Sequence, residues 1–87
     1  IGYASSSGTN YMFVNGTSGD DLRRYTIGAG GTLSAPQAIT LNGSTANNQD
    51  FGFSSNGRLV TLDSAGIWVS GTAQVTSTTI SLTNNFT

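Results

Sequence analysis

Side chains able to do acid–base chemistry are few in this chain. Its 87 residues include no Cys, His, Lys or Glu, which excludes His/Cys zinc sites, lysine Schiff bases and histidine-activated serines. The ionisable side chains other than three Tyr are Asp20, Asp21, Asp50, Asp63, Arg23, Arg24 and Arg58. We therefore expect a non-enzymatic protein without catalytic residues and without a cofactor.

Paired carboxylates are the remaining route to hydrolytic chemistry. Asp20 and Asp21 are adjacent, and adjacent residues of a strand point to opposite faces, so they do not form a ready-made pair. We interpret Ser18-Gly19-Asp20-Asp21 as a solvated turn. A weak calcium site there is the alternative, because calcium binds clustered oxygen ligands. No set of metal ligands is assigned.

Trp68, Tyr25 and Arg24 are the candidate ligand-binding residues. Trp68 lies between Ile67 and Val69, so the indole occupies one face of its strand and the two aliphatic side chains the other. We expect Trp68 to pack in the core. The alternative is that Trp68 is an exposed platform for a sugar ring or a partner chain, with Tyr25 as a second stacking platform in the carbohydrate-binding case.

Arg23 and Arg24 follow directly after Asp20 and Asp21. This spacing predicts local surface ion pairs, which contribute about 0–1 kcal/mol each. The alternative is an interface role in which one Arg stacks on an aromatic ring.

The composition of the chain limits the kinds of partner that it can bind. The net charge of −1 gives no electrostatic footprint for nucleic acid or an anionic membrane, and no apolar run approaches the ~18 residues that cross a bilayer. The abundance of Ser, Thr, Asn and Gly is typical of extracellular, cell-surface or virion-surface β proteins. The chain begins at Ile1, so we expect a processed product or part of a longer protein.

Short apolar runs separated by turn signals predict an all-β, antiparallel fold. The predicted strands are 11–14, 22–27, 51–53, 59–62, 67–69 and 75–82, together with 32–41, where Pro36 favours an edge position or a bulge. Asn15-Gly16, Asn56-Gly57 and Asp63-Ser64-Ala65-Gly66 are the predicted turns.

The two halves of the chain look alike. The opening IGYASSSGTNYMFVNG resembles FGFSSNGRLVTLDSAG from Phe51, and residues 38–41 match residues 79–82. We interpret these as two degenerate four-stranded repeats, about 1–43 and 44–87, within a single domain or part of a larger one. On this interpretation Ile1–Tyr3 and Phe51–Phe53 should face the same core.

The stretches DLRRYTIGAGGTLSAPQAI and DFGFSSNGRLVTLDSAGIWV resemble two consecutive β-propeller blades of the lactonase-like or YVTN type. The resemblance implies two blades of a larger ring, and no catalytic or metal residue carries over from it. The alternative fold is a single β-sandwich or barrel.

The predicted function is a structural or interaction module of an extracellular or virion-surface assembly. Its expected partners are copies of itself or other chains. They would bind open sheet faces lined by Phe13, Ile27, Ile39, Trp68, Val75 and Ile80. The alternatives are a carbohydrate-binding, lectin-like module and a two-blade piece of a larger propeller protein.

Overall fold

The computed structural model describes residues 1–16, 21–43 and 50–86. These residues form eight β-strands and a short 3-10 turn at Ala29–Gly31. In chain order the strands are β1 Gly2–Ser6, β2 Thr9–Asn15, β3 Asp21–Ile27, β4 Gln37–Asn42, β5 Asp50–Phe53, β6 Leu59–Asp63, β7 Gly66–Ser70 and β8 Thr79–Phe86. The all-β prediction is therefore confirmed.

The strands form a single sheet in the order β1-β2-β3-β4-β8-β7-β6-β5. The pairs within β1–β4 and within β5–β8 are antiparallel, and the two halves join through the parallel pair β4–β8. The edge strands β1 and β5 lie next to each other, with Gly2 against the ring of Phe51. The sheet is thus a nearly closed mixed barrel, as the barrel alternative predicted.

The two four-stranded halves are not the predicted propeller blades. Each blade of a propeller is a separate sheet, whereas here Leu41 of β4 pairs directly with Ile80 of β8 in one continuous sheet. The similar segments at 38–41 and 79–82 are therefore hydrogen-bonded neighbours. Their likeness reflects a shared requirement, because both central strands place alternate apolar residues inside the barrel.

The core fills the inside of the barrel. Its buried apolar side chains are Phe13, Leu22, Ile39, Leu41, Leu59, Val75, Ile80 and Leu82. Phe53 packs on Phe13 with their ring centroids 4.6 Å apart. The prediction that Phe13, Ile39, Val75 and Ile80 line open sheet faces is wrong, because the nearly closed sheet encloses them.

The prediction that Ile1–Tyr3 and Phe51–Phe53 share a core is also wrong. Phe51 and Phe53 pack against the core, while Ile1 and Tyr3 are exposed. Pairing of Gly2 with Phe13 places the even-numbered residues of β1 inside the barrel. Aligning the two aromatic-rich segments therefore matches residues that belong to opposite faces.

Two strands begin several residues later than predicted. β4 begins at Gln37, directly after Pro36, and lies between β3 and β8 rather than at an edge. Pro36 is tolerated because it precedes the first residue of β4. Its missing N–H therefore removes no hydrogen bond between β4 and the neighbouring strands. β8 begins at Thr79 rather than at Val75, and residues 71–78 form a loop across the end of the barrel that buries the side chain of Val75 in the core.

The loop 71–78 is held by the turn at Asn56-Gly57. The amide groups of Ala73 and Gln74 donate to the carbonyl oxygens of Asn56 and Gly57, each at 2.9 Å. Gly57 has φ +81°, and a Cβ there would lie 3.0 Å from Ala73 backbone atoms. Glycine is required here both for its backbone conformation and for this close approach.

Candidate functional site

Arg24 lies inside the end of the barrel that the 71–78 loop covers. Its guanidinium donates to the carbonyl oxygens of Val75 at 3.1 Å and Ser77 at 3.2 Å. It also stacks over the ring of Tyr11, 5.3 Å from the centroid. These contacts make Arg24 a clamp on the loop within its own chain.

Trp68 lies towards the other end of the barrel, away from the 71–78 loop. Its side chain is half-buried and packs against the core. Its indole nitrogen donates to Oδ1 of Asp63 at 2.9 Å. The same oxygen accepts the backbone N–H groups of Ala65 at 2.8 Å and Gly66 at 3.1 Å. Asp63 and Trp68 therefore organise the β6–β7 hairpin.

Tyr25 lies on the outside of β3 and pairs with Met12 of β2. The structure thus separates the three candidate residues: Arg24 and Trp68 face inwards near opposite ends, and Tyr25 faces outwards. Trp68 and Tyr25 therefore lie on opposite faces of the sheet.

The described carboxylates do not form an acid–base pair. Asp50 pairs with Leu62, so it lies on the outer face, whereas Asp63 is buried within the barrel. Asp50 Oδ1 accepts the N–H of Phe51 at 2.8 Å. Asp20 and the side chain of Asp21 lie outside the described residues, and so does the calcium hypothesis. In the described ranges no three acidic, His or Cys side chains cluster as metal ligands would.

The outer surface of β5, β6 and β7 is apolar. Val60, Leu62 and Ile67 are 38%, 41% and 36% exposed. Pairing of Leu62 with Ile67 and of Val60 with Gly52 makes these residues neighbours across three strands. We call these four residues the β5–β7 face. They line a groove of about 450 Å³, and Asp50 is also among its lining residues.

Gly52 forms a notch in the β5–β7 face. A Cβ at this position would meet no atom within 4 Å, and Leu62 projects from the neighbouring strand. Sequence reasoning missed this surface. The signal was available in Leu59-Val60-Thr61-Leu62, because a strand with large apolar residues on both faces is typical of a sheet covered on both sides.

Comparisons with known proteins give no relative: no family model, no curated protein and no solved structure matches this chain. Among the described residues, no helix has the length and apolar character needed to cross a membrane.

Proposed function

We propose that this chain is a non-enzymatic interaction module that self-associates through the β5–β7 face. The observation that carries the proposal is the exposure of three large aliphatic side chains around the notch at Gly52. Contiguous apolar surface of this kind marks interaction sites on soluble proteins.

The occupant that fits the face best is a second copy of the chain. Leu62 is a projection and Gly52 a notch, and they lie on neighbouring strands of the same surface. A two-fold arrangement brings each Leu62 to the partner copy's notch, as an isologous interface requires. The low charge of the chain, −1, opposes such an approach little.

The setting we propose is an extracellular or virion-surface assembly. The support is compositional: Ser, Thr, Asn and Gly provide polarity in place of Lys and Glu. A non-enzymatic role is supported by the separation of Asp50 from Asp63 across the sheet and by the use of Arg24 as a loop clamp.

Sedimentation velocity over a range of concentrations tests this proposal. The unmodified chain should sediment as a concentration-dependent dimer. Gly52→Val should sediment as a monomer, because the new side chain fills the notch. The variant should fold at least as well as the parent, since valine has open space there and suits a strand.

Matched variants distinguish association through the β5–β7 face from nonspecific association of exposed apolar side chains. Leu62→Thr should weaken association about tenfold or more, which corresponds to about 1.4 kcal/mol. Leu33→Thr should leave it unchanged, because Leu33 is similarly exposed, at 50%, but lies away from the face. A monomeric parent chain, or equal effects of the two leucine variants, would contradict the proposal.

A further inference from the structure

The outer surface of β1, β2 and β3 carries a second, different arrangement of side chains. Strand pairing sets Tyr3 beside Met12 and Ser5 beside Asn10, with Ile27 next to Asn10 on β3. Tyr3 is 65% exposed. Together with Ala4 and Tyr11, the residues Tyr3, Ser5, Asn10 and Ile27 line a cavity of about 300 Å³, at the lower end of the range for small-molecule sites.

The polar groups of this cavity are held in a defined orientation. The hydroxyl of Ser5 donates to Oδ1 of Asn10 at 2.6 Å. This bond turns the amide so that Nδ2, which has no bonding partner in the described part of the chain, keeps its two donors for a ligand. Ser5 Oγ keeps acceptor capacity beside them.

We infer that this cavity binds one ring of a neutral saccharide. A sugar ring has an apolar C–H face and a hydroxyl edge. The ring of Tyr3 and the side chain of Ile27 suit the face, and the Asn10 amide with the Ser5 hydroxyl suits the edge. None of the cavity's lining side chains carries a charge at neutral pH, so an anionic ligand would lose hydration without compensation.

The site differs from the one expected from sequence. Tyr25 lies on the same outer surface but outside the cavity, and Trp68 is bonded to Asp63. The cavity and the β5–β7 face share no lining residue, so the inference stands on observations separate from those for self-association.

An NMR titration of the isotope-labelled chain tests the inference. The probes are glucose, galactose, mannose and N-acetylglucosamine, with their neutral disaccharides and with glucuronic acid as the charged comparison. At least one neutral sugar should shift the amide signals of Tyr3, Ser5, Asn10 and Ile27 in a saturable manner. Glucuronic acid should shift them less.

Single substitutions then test which side chains contribute to sugar binding. Tyr3→Ala and Asn10→Ala should each weaken binding about tenfold, with little change in melting temperature because both side chains are exposed. Tyr25→Ala is the matched control and should bind as the parent does, as should Gly52→Val. The inference is overturned if no neutral sugar shifts these four signals, if the shifts centre on Trp68, or if Tyr3→Ala binds as tightly as the parent.

Discussion

At the scale of single residues, Asp63 is a buried polar group that anchors the β6–β7 turn. It is only 4% exposed, yet one of its oxygens accepts three N–H groups around the β6–β7 turn. Such an oxygen suits the ionised carboxylate, since each donor stabilises its charge. The turn sequence Asp63-Ser64-Ala65-Gly66 predicted the hairpin, but not that its first residue would also fix the indole of Trp68.

Asp63→Ala should destabilise the chain by about 2–4 kcal/mol, because it leaves one indole and two backbone donors without their acceptor. Urea unfolding followed by the fluorescence of Trp68, the single tryptophan, measures this change. The matched control, Asp50→Ala, should change stability by less than about 0.5 kcal/mol, since Asp50 is exposed and has a purely local bond. Equal effects of the two variants would show that the buried carboxylate is not structural.

Thr61 is also a buried polar residue but, unlike Asp63, it lacks hydrogen-bond partners for its side chain in the described part of the chain. It is 1% exposed inside the barrel, and its Oγ1 has no hydrogen-bond partner among the residues described. Thr61→Val keeps the shape and removes the buried hydroxyl, so it should leave stability unchanged or raise it by about 1 kcal/mol. The same urea experiment measures it. A loss of more than about 1 kcal/mol would mean that the hydroxyl is satisfied in solution.

At the scale of elements, the loop 71–78 acts as a cover over one end of the barrel. The loop buries the side chain of its own Val75 in the core, and the guanidinium of Arg24 donates to two of the loop's carbonyl oxygens. Arg24→Met keeps much of the apolar stem but removes both bonds. The backbone N–H of Ser77 donates to the carbonyl oxygen of Gln74 within the loop. Hydrogen exchange of this N–H should be at least about tenfold faster in Arg24→Met than in the parent.

Exchange within the β3–β4 ladder should change much less in Arg24→Met, because its pairs are held by the sheet itself. Arg24→Lys should fall between the parent and the Met variant, since a lysine cannot present the fixed fork of donors that bonds two carbonyl groups. Uniform acceleration across the chain would contradict a local clamp.

Local sequence signals predicted most strands but not their assembly. Runs such as 22–27 and 59–62, bounded by Gly, Asn and Asp, are confirmed within a residue or so as β3 and β6. The pattern of polar and apolar residues did not reveal which face of β1 points inwards. Tyr3 is a large aromatic residue of the kind found in cores, yet it lies on the outer face. The parallel pairing of Leu41 with Ile80 joins distant segments, and no local pattern encodes it.

At the scale of the whole molecule, closure of the sheet changes where a partner can bind. The side chains expected on open faces, such as Phe13 and Ile80, are enclosed, whereas Val60, Leu62 and Ile67 form an exposed apolar surface on β6 and β7. The run Leu59-Val60-Thr61-Leu62 indicates apolar residues on both faces of β6, but only the register of β5 and β6 shows which of them face outwards. The β5–β7 face is therefore the feature on which the proposed function depends.

Disulfide trapping between single-cysteine variants tests the proposed contact most directly, because the chain has no cysteine of its own. A mixture of Gly52→Cys and Leu62→Cys chains, distinguished by isotope mass, should yield mainly the mixed dimer, because the proposed two-fold contact places the two positions within disulfide distance. A mixture of Gly52→Cys and Leu33→Cys provides the background yield. If the first mixture gives no more mixed dimer than the second, the β5–β7 face does not join two copies of this chain.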